Sequence, residues 1–136
     1  MPVNDKVLKR FFREKPEQAR KAKDKILKGM RIDIQQFVSD NFRQERFQDE
    51  PAKPWQKRQS GNASRNLLVD TGTLRNSITT VRSGDSIRVQ SDVKYAARHN
   101  EGLDGMPERR FIGRSAVLTR KLKNEIQKEL LKQIRK

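Results

Sequence analysis

Cysteine is missing from this 136-residue chain, and His99, Trp55 and Tyr95 are the sole histidine, tryptophan and tyrosine. Without thiols there are no disulfides and no thiolate metal sites. A zinc site built on His99 would need three oxygen ligands, and no tight carboxylate cluster offers them. Apolar residues are scarce as well, 32% of the chain against 36% charged residues. One domain is the expectation at this length, with a small core and long solvated helices. Some of its apolar surface is then left for neighbouring subunits to complete. No apolar run approaches the ~18 residues that span a bilayer, and the N-terminus carries no hydrophobic signal core. No membrane partner is expected, and the chain is expected to be made and kept in a cytoplasm unless it is assembled into a particle.

Negative charge is the other shortage. Asp and Glu number 17 against 32 Lys and Arg, a net charge of +15. Such an excess favours polyanions: nucleic acid, acidic lipid, or the acidic face of a partner protein. Aromatic groups, which usually accompany specific nucleic-acid recognition, are only 6% of the chain.

The chain divides into a basic arm, residues 1–15, and a single domain, residues 16–136. In the arm, Val7, Leu8, Phe11 and Phe12 form a short apolar edge, and Asn4 is placed to cap a brief helix. A loose arm that docks on a partner fits the pattern equally well. Pro16 opens the next helix with Glu17 behind it. Ala19, Ala22, Ile26, Met30, Ile34, Phe37, Val38 and Phe42 then recur at three- and four-residue steps, predicting an amphipathic helix of about 30 residues that ends near Phe47. Gly29 inside it reads as a tolerated residue. Residues 49–64, with Pro51, Pro54 and Gly61, form a long loop that is a candidate for mobility.

Beyond the loop, Leu67 to Asn76 is expected to start with a short helical or turn segment, since Asp70-Thr71-Gly72 is a turn signal. Ser77 to Val81 and Ser86 to Ser91 alternate as strands around the hairpin turn Ser83-Gly84-Asp85. Lys94 to Asn100 reads as a short helix, and Arg110 to Ile112 as a third strand closing the sheet. From Ser115 a final helix carries Val117, Leu118, Leu122, Ile126, Leu130 and Ile134 on one stripe. Ten basic and two acidic residues lie between Arg109 and Lys136. Arg114, Arg120, Lys121, Lys123, Lys128, Lys132 and Arg135 are therefore candidate contacts for a polyanion or a partner. The fold class is α+β: a small antiparallel sheet of three to four strands packed by a long N-terminal helix and a C-terminal helix.

No constellation supports catalysis. Nucleophile elbow, Walker loop, paired carboxylates and metal spacings are lacking. Asp70-Thr71-Gly72 matches the tripeptide of aspartic proteases, but one copy works only in a homodimer. The Thr73-Leu74-Arg75-Asn76-Ser77-Ile78 that follows is not the all-β pattern such an enzyme needs. Tyr95 and His99 are one helical turn apart and share a face, yet His99 has no visible partner for base catalysis. Trp55 beside Pro54 fits a core anchor or a partner's pocket better than a base-stacking platform. No cofactor is implied.

Three blocks follow one another in fixed order: Leu68-Val-Asp-Thr-Gly-Thr-Leu-Arg-Asn-Ser-Ile78, Tyr95-Ala-Ala-Arg-His-Asn-Glu-Gly102, and Pro107-Glu-Arg-Arg-Phe-Ile-Gly-Arg-Ser115. With the Pro54-Trp55 pair upstream, they resemble the phage virion morphogenesis family, the tail-completion proteins of tailed bacteriophages. The residues that carry the likeness are Trp55; Thr71, Gly72, Leu74, Ser77 and Ile78; Tyr95, Ala96, His99 and Gly102; and Pro107, Arg109, Phe111 and Gly113. It runs from about residue 17 to the end, with Arg110 standing where the family often has proline.

The resemblance implies a non-enzymatic structural protein of the virion, located at the head-tail junction and in the host cytoplasm during assembly. Its task would be completing the tail for joining to a DNA-filled head. It implies a homo-oligomeric ring, of six subunits, stacked on tail tube or terminator proteins and on neck or connector proteins, with nonspecific DNA contact in the channel. Arg109 is expected to pair with a carboxylate such as Glu101 or Asp104, in its own chain or the next. The alternative from charge alone is a nucleic-acid-binding protein that lays its C-terminal helix on phosphates and stacks Trp55 or Phe47 on bases.

Overall fold

The computed structural model describes residues 4–57 and 73–135. Five helices and four short strands follow in the order α1 (Asp5–Glu14), α2 (Pro16–Gln44), β1 (Arg46–Phe47), β2 (Lys53–Pro54), α3 (Thr73–Ser77), β3 (Thr79–Ser83), β4 (Ser86–Gln90), α4 (Ala96–Glu101) and α5 (Ala116–Ile134).

The arm is helical from Asp5, with the Asn4 side chain accepting the Lys6 N–H at 2.7 Å. Pro16 starts α2 at the one position where its missing N–H costs nothing. The 29 residues of α2 make a rod about 43 Å long. Its C-terminal end closes at Glu45, whose φ of 54° is left-handed, and the Glu45 carbonyl then accepts the Trp55 N–H at 2.9 Å. Ala19, Ala22, Ile34, Phe37, Val38 and Phe42 are buried as the periodicity predicts. Ile26 and Met30 are only half-buried, and Leu27 is buried in their place. Leu27 lies seven residues before Ile34, two full turns, and so shares its face; repeated four-residue steps drift away from it.

The four strands do not form one sheet. They stand as two antiparallel pairs, β1 with β2 and β3 with β4. Arg110 to Ile112, the expected third strand, is irregular chain. The β3–β4 hairpin turns through Gly84 and Asp85, with Gly84 at φ 59°; glycine meets that requirement without strain. Lys23 and Asp24 of α2 pair with Asp85 and Arg82 at the hairpin tip, at 3.1 and 2.8 Å.

Helix α5 runs antiparallel along α2, as the pairs Lys25–Glu129 and Asp33–Lys121 show. Between α2, the hairpin and the start of α5 lies the main core, of Ile34, Phe37, Val38, Phe42, Phe47, Trp55, Leu74, Ile78, Phe111 and Leu118. A second, smaller cluster joins Phe11 to Ala19 and Ala22, with Ile134 packed on it. Alanine at both α2 positions lets the Phe11 ring sit against the helix. The arm is thus a docked helix.

Candidate assembly site

Trp55, Arg109, Phe111 and Gly113 of the motifs meet in or at residues 109–115, the last part of the connection from α4 to α5. Four backbone groups of Arg110, Phe111 and Ile112 find side-chain partners there. The Asn100 Oδ1 accepts the N–H groups of Phe111 and Ile112, at 2.9 and 3.1 Å. Asn41, fully buried, donates its Nδ2 to the Phe111 carbonyl at 3.0 Å. Trp55 donates its indole N–H to the Arg110 carbonyl at 2.8 Å. Residues 110–112 fail to form a strand for this reason: side chains from α2, α4 and β2's end take the bonds a neighbouring strand would supply.

The same node ties down its surroundings. The Asn41 Oδ1 accepts the backbone and side-chain N–H groups of Gln48, at 3.0 and 3.1 Å. Ser115 donates its hydroxyl to the Gln48 carbonyl at 2.6 Å, and caps α5 by accepting the Leu118 N–H at 3.2 Å. The Asp49 Oδ1 accepts the Ala116 and Glu50 N–H groups, both at 2.9 Å. Those two bonds, Ala116's first, hold the Asp49 carboxyl below its usual range.

Trp55 is 6% exposed and meets Phe42 edge-on at 5.5 Å, while Phe42 stacks on Phe111 at 5.1 Å. Phe47 is buried too, edge-on to Phe37. Neither ring is free to stack on a base, so the nucleic-acid alternative loses both of its aromatic contacts.

Arg109 is buried, and its guanidinium donates Nε and Nη2 to the Gln56 carbonyl at 3.0 and 2.9 Å. Its backbone N–H donates to the His99 carbonyl at 2.7 Å. The expected pairing with Glu101 or Asp104 does not form within the chain; Asp104 takes Arg98 at 3.0 Å. Tyr95 and His99 do share a face, their rings edge-on at 5.8 Å. Tyr95 remains exposed, whereas the His99 Nδ1 is buried with no hydrogen-bond partner. Burial, and then the Arg109 charge, push the His99 pKa below its usual 6.5, so the ring is neutral at pH 7.

The remaining motif residues have architectural places. Leu74 and Ile78 are buried in the core, and the half-buried Ala96 packs against it. The Ser77 hydroxyl joins the Leu74 carbonyl at 2.7 Å and Ser91 at 2.6 Å, locking the open end of the hairpin. Gly102 ends α4 at φ 70°, and a Cβ there would meet Glu108 at 3.0 Å. Pro107 is half-buried in the following loop, and the Arg110 side chain folds over Gly113. Thr71 and Gly72 lie outside the described residues.

The cationic candidates are all exposed. Arg120 pairs with Glu50, and Lys121 with Asp33 at 3.9 Å. Arg114, Lys123, Lys128, Lys132 and Arg135 meet no carboxylate among the described residues. Among those residues there is also no cluster of three His, Cys, Asp or Glu side chains fit to hold a metal. No described helix is long and apolar enough to cross a membrane.

Sequence reasoning missed Asn41, Gln48, Asp49 and Asn100. Asn41 had a signal: it falls on the buried stripe of Ile34, Phe37, Val38 and Phe42, where an amide is retained only with partners.

Fold and site together define a small α+β module with a cationic exterior, whose described motif residues other than Tyr95 are buried or half-buried. No curated protein sequence and no solved structure matches the chain. It does match the phage virion morphogenesis family over residues 5–131, and it belongs to that family. The match begins in α1, so the arm lies within the family's span. The chain's role is in building the phage particle.

Proposed function

We propose that the chain completes the phage tail at the head-tail junction. Identical subunits form a ring, of six copies, that stacks on tail tube or terminator proteins and offers its outer face to neck or connector proteins. Family membership over residues 5–131 carries this reading. Two physical features support it. Ile126, Leu130 and Ile134 of α5 are only half-buried, apolar surface that a neighbouring subunit would complete. The unpaired cations of α5 suit the acidic faces of stacked partners, or the phosphates of DNA threaded through the ring.

A phage lacking this gene tests the role. DNA-filled heads and separate, otherwise finished tails are expected to accumulate, and adding the purified protein to such a lysate is expected to restore joined particles. Normal numbers of joined particles without the gene would contradict the assignment.

A further inference from the structure

The β3–β4 hairpin has two edges, and only one is used. Ser83 and Ser86 flank the two-residue turn and form a bonded pair, so Val81–Arg88 and Thr79–Gln90 are bonded pairs as well. The N–H and C=O groups of Ile78, Thr80 and Arg82 therefore point away from β4. Helix α2 covers that edge: Arg31 donates to the Thr80 carbonyl and Gln35 to the Ile78 carbonyl, both at 2.9 Å. On β4 the outward groups belong to Ile87 and Val89. No described residue bonds to them.

Val89 lies in the wall of an open cleft of about 280 Å3 between β4 and α4. Ile78, Val93, Ala96, Phe111 and Ile112 give it an apolar lining, and the exposed Ala97 stands on the α4 wall. A strand edge with unpaired backbone groups, beside an apolar cleft walled by a helix, is the arrangement that receives an extended peptide as an added strand. Backbone bonds would hold the peptide, and alternate side chains would enter the cleft.

Charge selects the occupant. Arg88 on β4 and Lys94 on the cleft rim are exposed and meet no carboxylate among the described residues. Glu101, on the far part of the α4 wall, is the one acidic lining residue. The chain as a whole carries +15, which favours an acidic segment over a basic one. We infer that the β4–α4 cleft docks an extended, net-acidic segment of another virion protein, apolar at every second residue, by strand addition to β4. This rests on the assembly reading above, but its test does not involve particle joining, so either can fail alone.

The probe is a fluorescein-labelled peptide of about eight residues alternating Val with Glu, compared with one alternating Val with Lys. Anisotropy is read on the full-length protein near physiological salt, where loose charge pairing is screened. The Val/Glu peptide is expected to bind more tightly. Ala97→Trp fills the cleft from an exposed position, and Val89→Pro removes an outward N–H without touching the β3 ladder. Neither changes the charge. Each is expected to weaken binding at least about tenfold, with the far-ultraviolet spectrum unchanged in Ala97→Trp. Methylating alternate peptide nitrogens of the probe is expected to abolish binding. Equal binding by wild type and Ala97→Trp would mean adsorption by charge alone and would overturn the inference. So would a fall in the protein's own native mass in Ala97→Trp, since the cleft would then hold a second copy.

Discussion

Asn41 is the side chain on which most of the architecture turns. It bonds Phe111 on one side and Gln48 on the other from a fully buried position. Asn41→Ala leaves those buried groups without partners, and is expected to destabilise the fold by about 2–4 kcal/mol. Urea unfolding followed by Trp55 fluorescence measures this, because the only tryptophan reports from within the core. His99 makes a pH-dependent contribution. Its pKa in the folded chain lies below the unfolded value near 6.5, so the unfolded chain binds the extra proton. Stability tied to this ring is complete above pH 6.5 and declines as pH falls through and below that value. A urea series from pH 7.5 to pH 5 should show that decline, flattened in His99→Gln. An identical slope in the variant would assign the decline to other groups.

Helix α5 begins where two side chains, Ser115 and Asp49, require it to. Ser115 caps its first turn while gripping Gln48, and Asp49 accepts the Ala116 N–H. Ser115→Ala removes both the cap and the tether, and a loss of about 1–2 kcal/mol is expected in the same urea assay. Helix α1 depends on Phe11. Phe11→Ala should abolish amide exchange protection in α1 while leaving the protection of α2 and the hairpin nearly unchanged, because Phe11 sits in its own cluster. Global loss of protection would show the two clusters to be one unit.

Helices α2, α4 and α5 and the hairpin were legible from periodicity, capping and turn residues, since those signals are local, whereas the arm was left open between a helix and a loose segment. Arg110 to Ile112 was not: its adjacent Phe111 and Ile112 suit a strand, but Asn41, Asn100 and Trp55, distant in sequence, decide its partners. For Trp55 the sequence left a core anchor and a partner's pocket both open, and its contacts with Arg110 and Phe42 decide for the core anchor. The guanidinium of Arg109 binds a backbone carbonyl, a partner that side-chain chemistry alone does not single out.

At the scale of the whole molecule, the net charge of +15 sets the conditions under which the chain is comfortable. Its exposed cations repel one another, and salt screens that repulsion over about 10 Å at 0.1 M. Tm is accordingly expected to rise between low and physiological salt; a falling Tm would mean that the exposed ion pairs outweigh the repulsion. The proposed ring would complete the sparse core and the half-buried stripe of α5 with neighbouring subunits. Native mass by light scattering, across a concentration series at moderate salt with and without DNA, tests this most directly. A discrete ring-sized oligomer that forms without DNA is the predicted result. A monomer that changes mass only when DNA is added would contradict it, and would give the basic surface to nucleic acid instead.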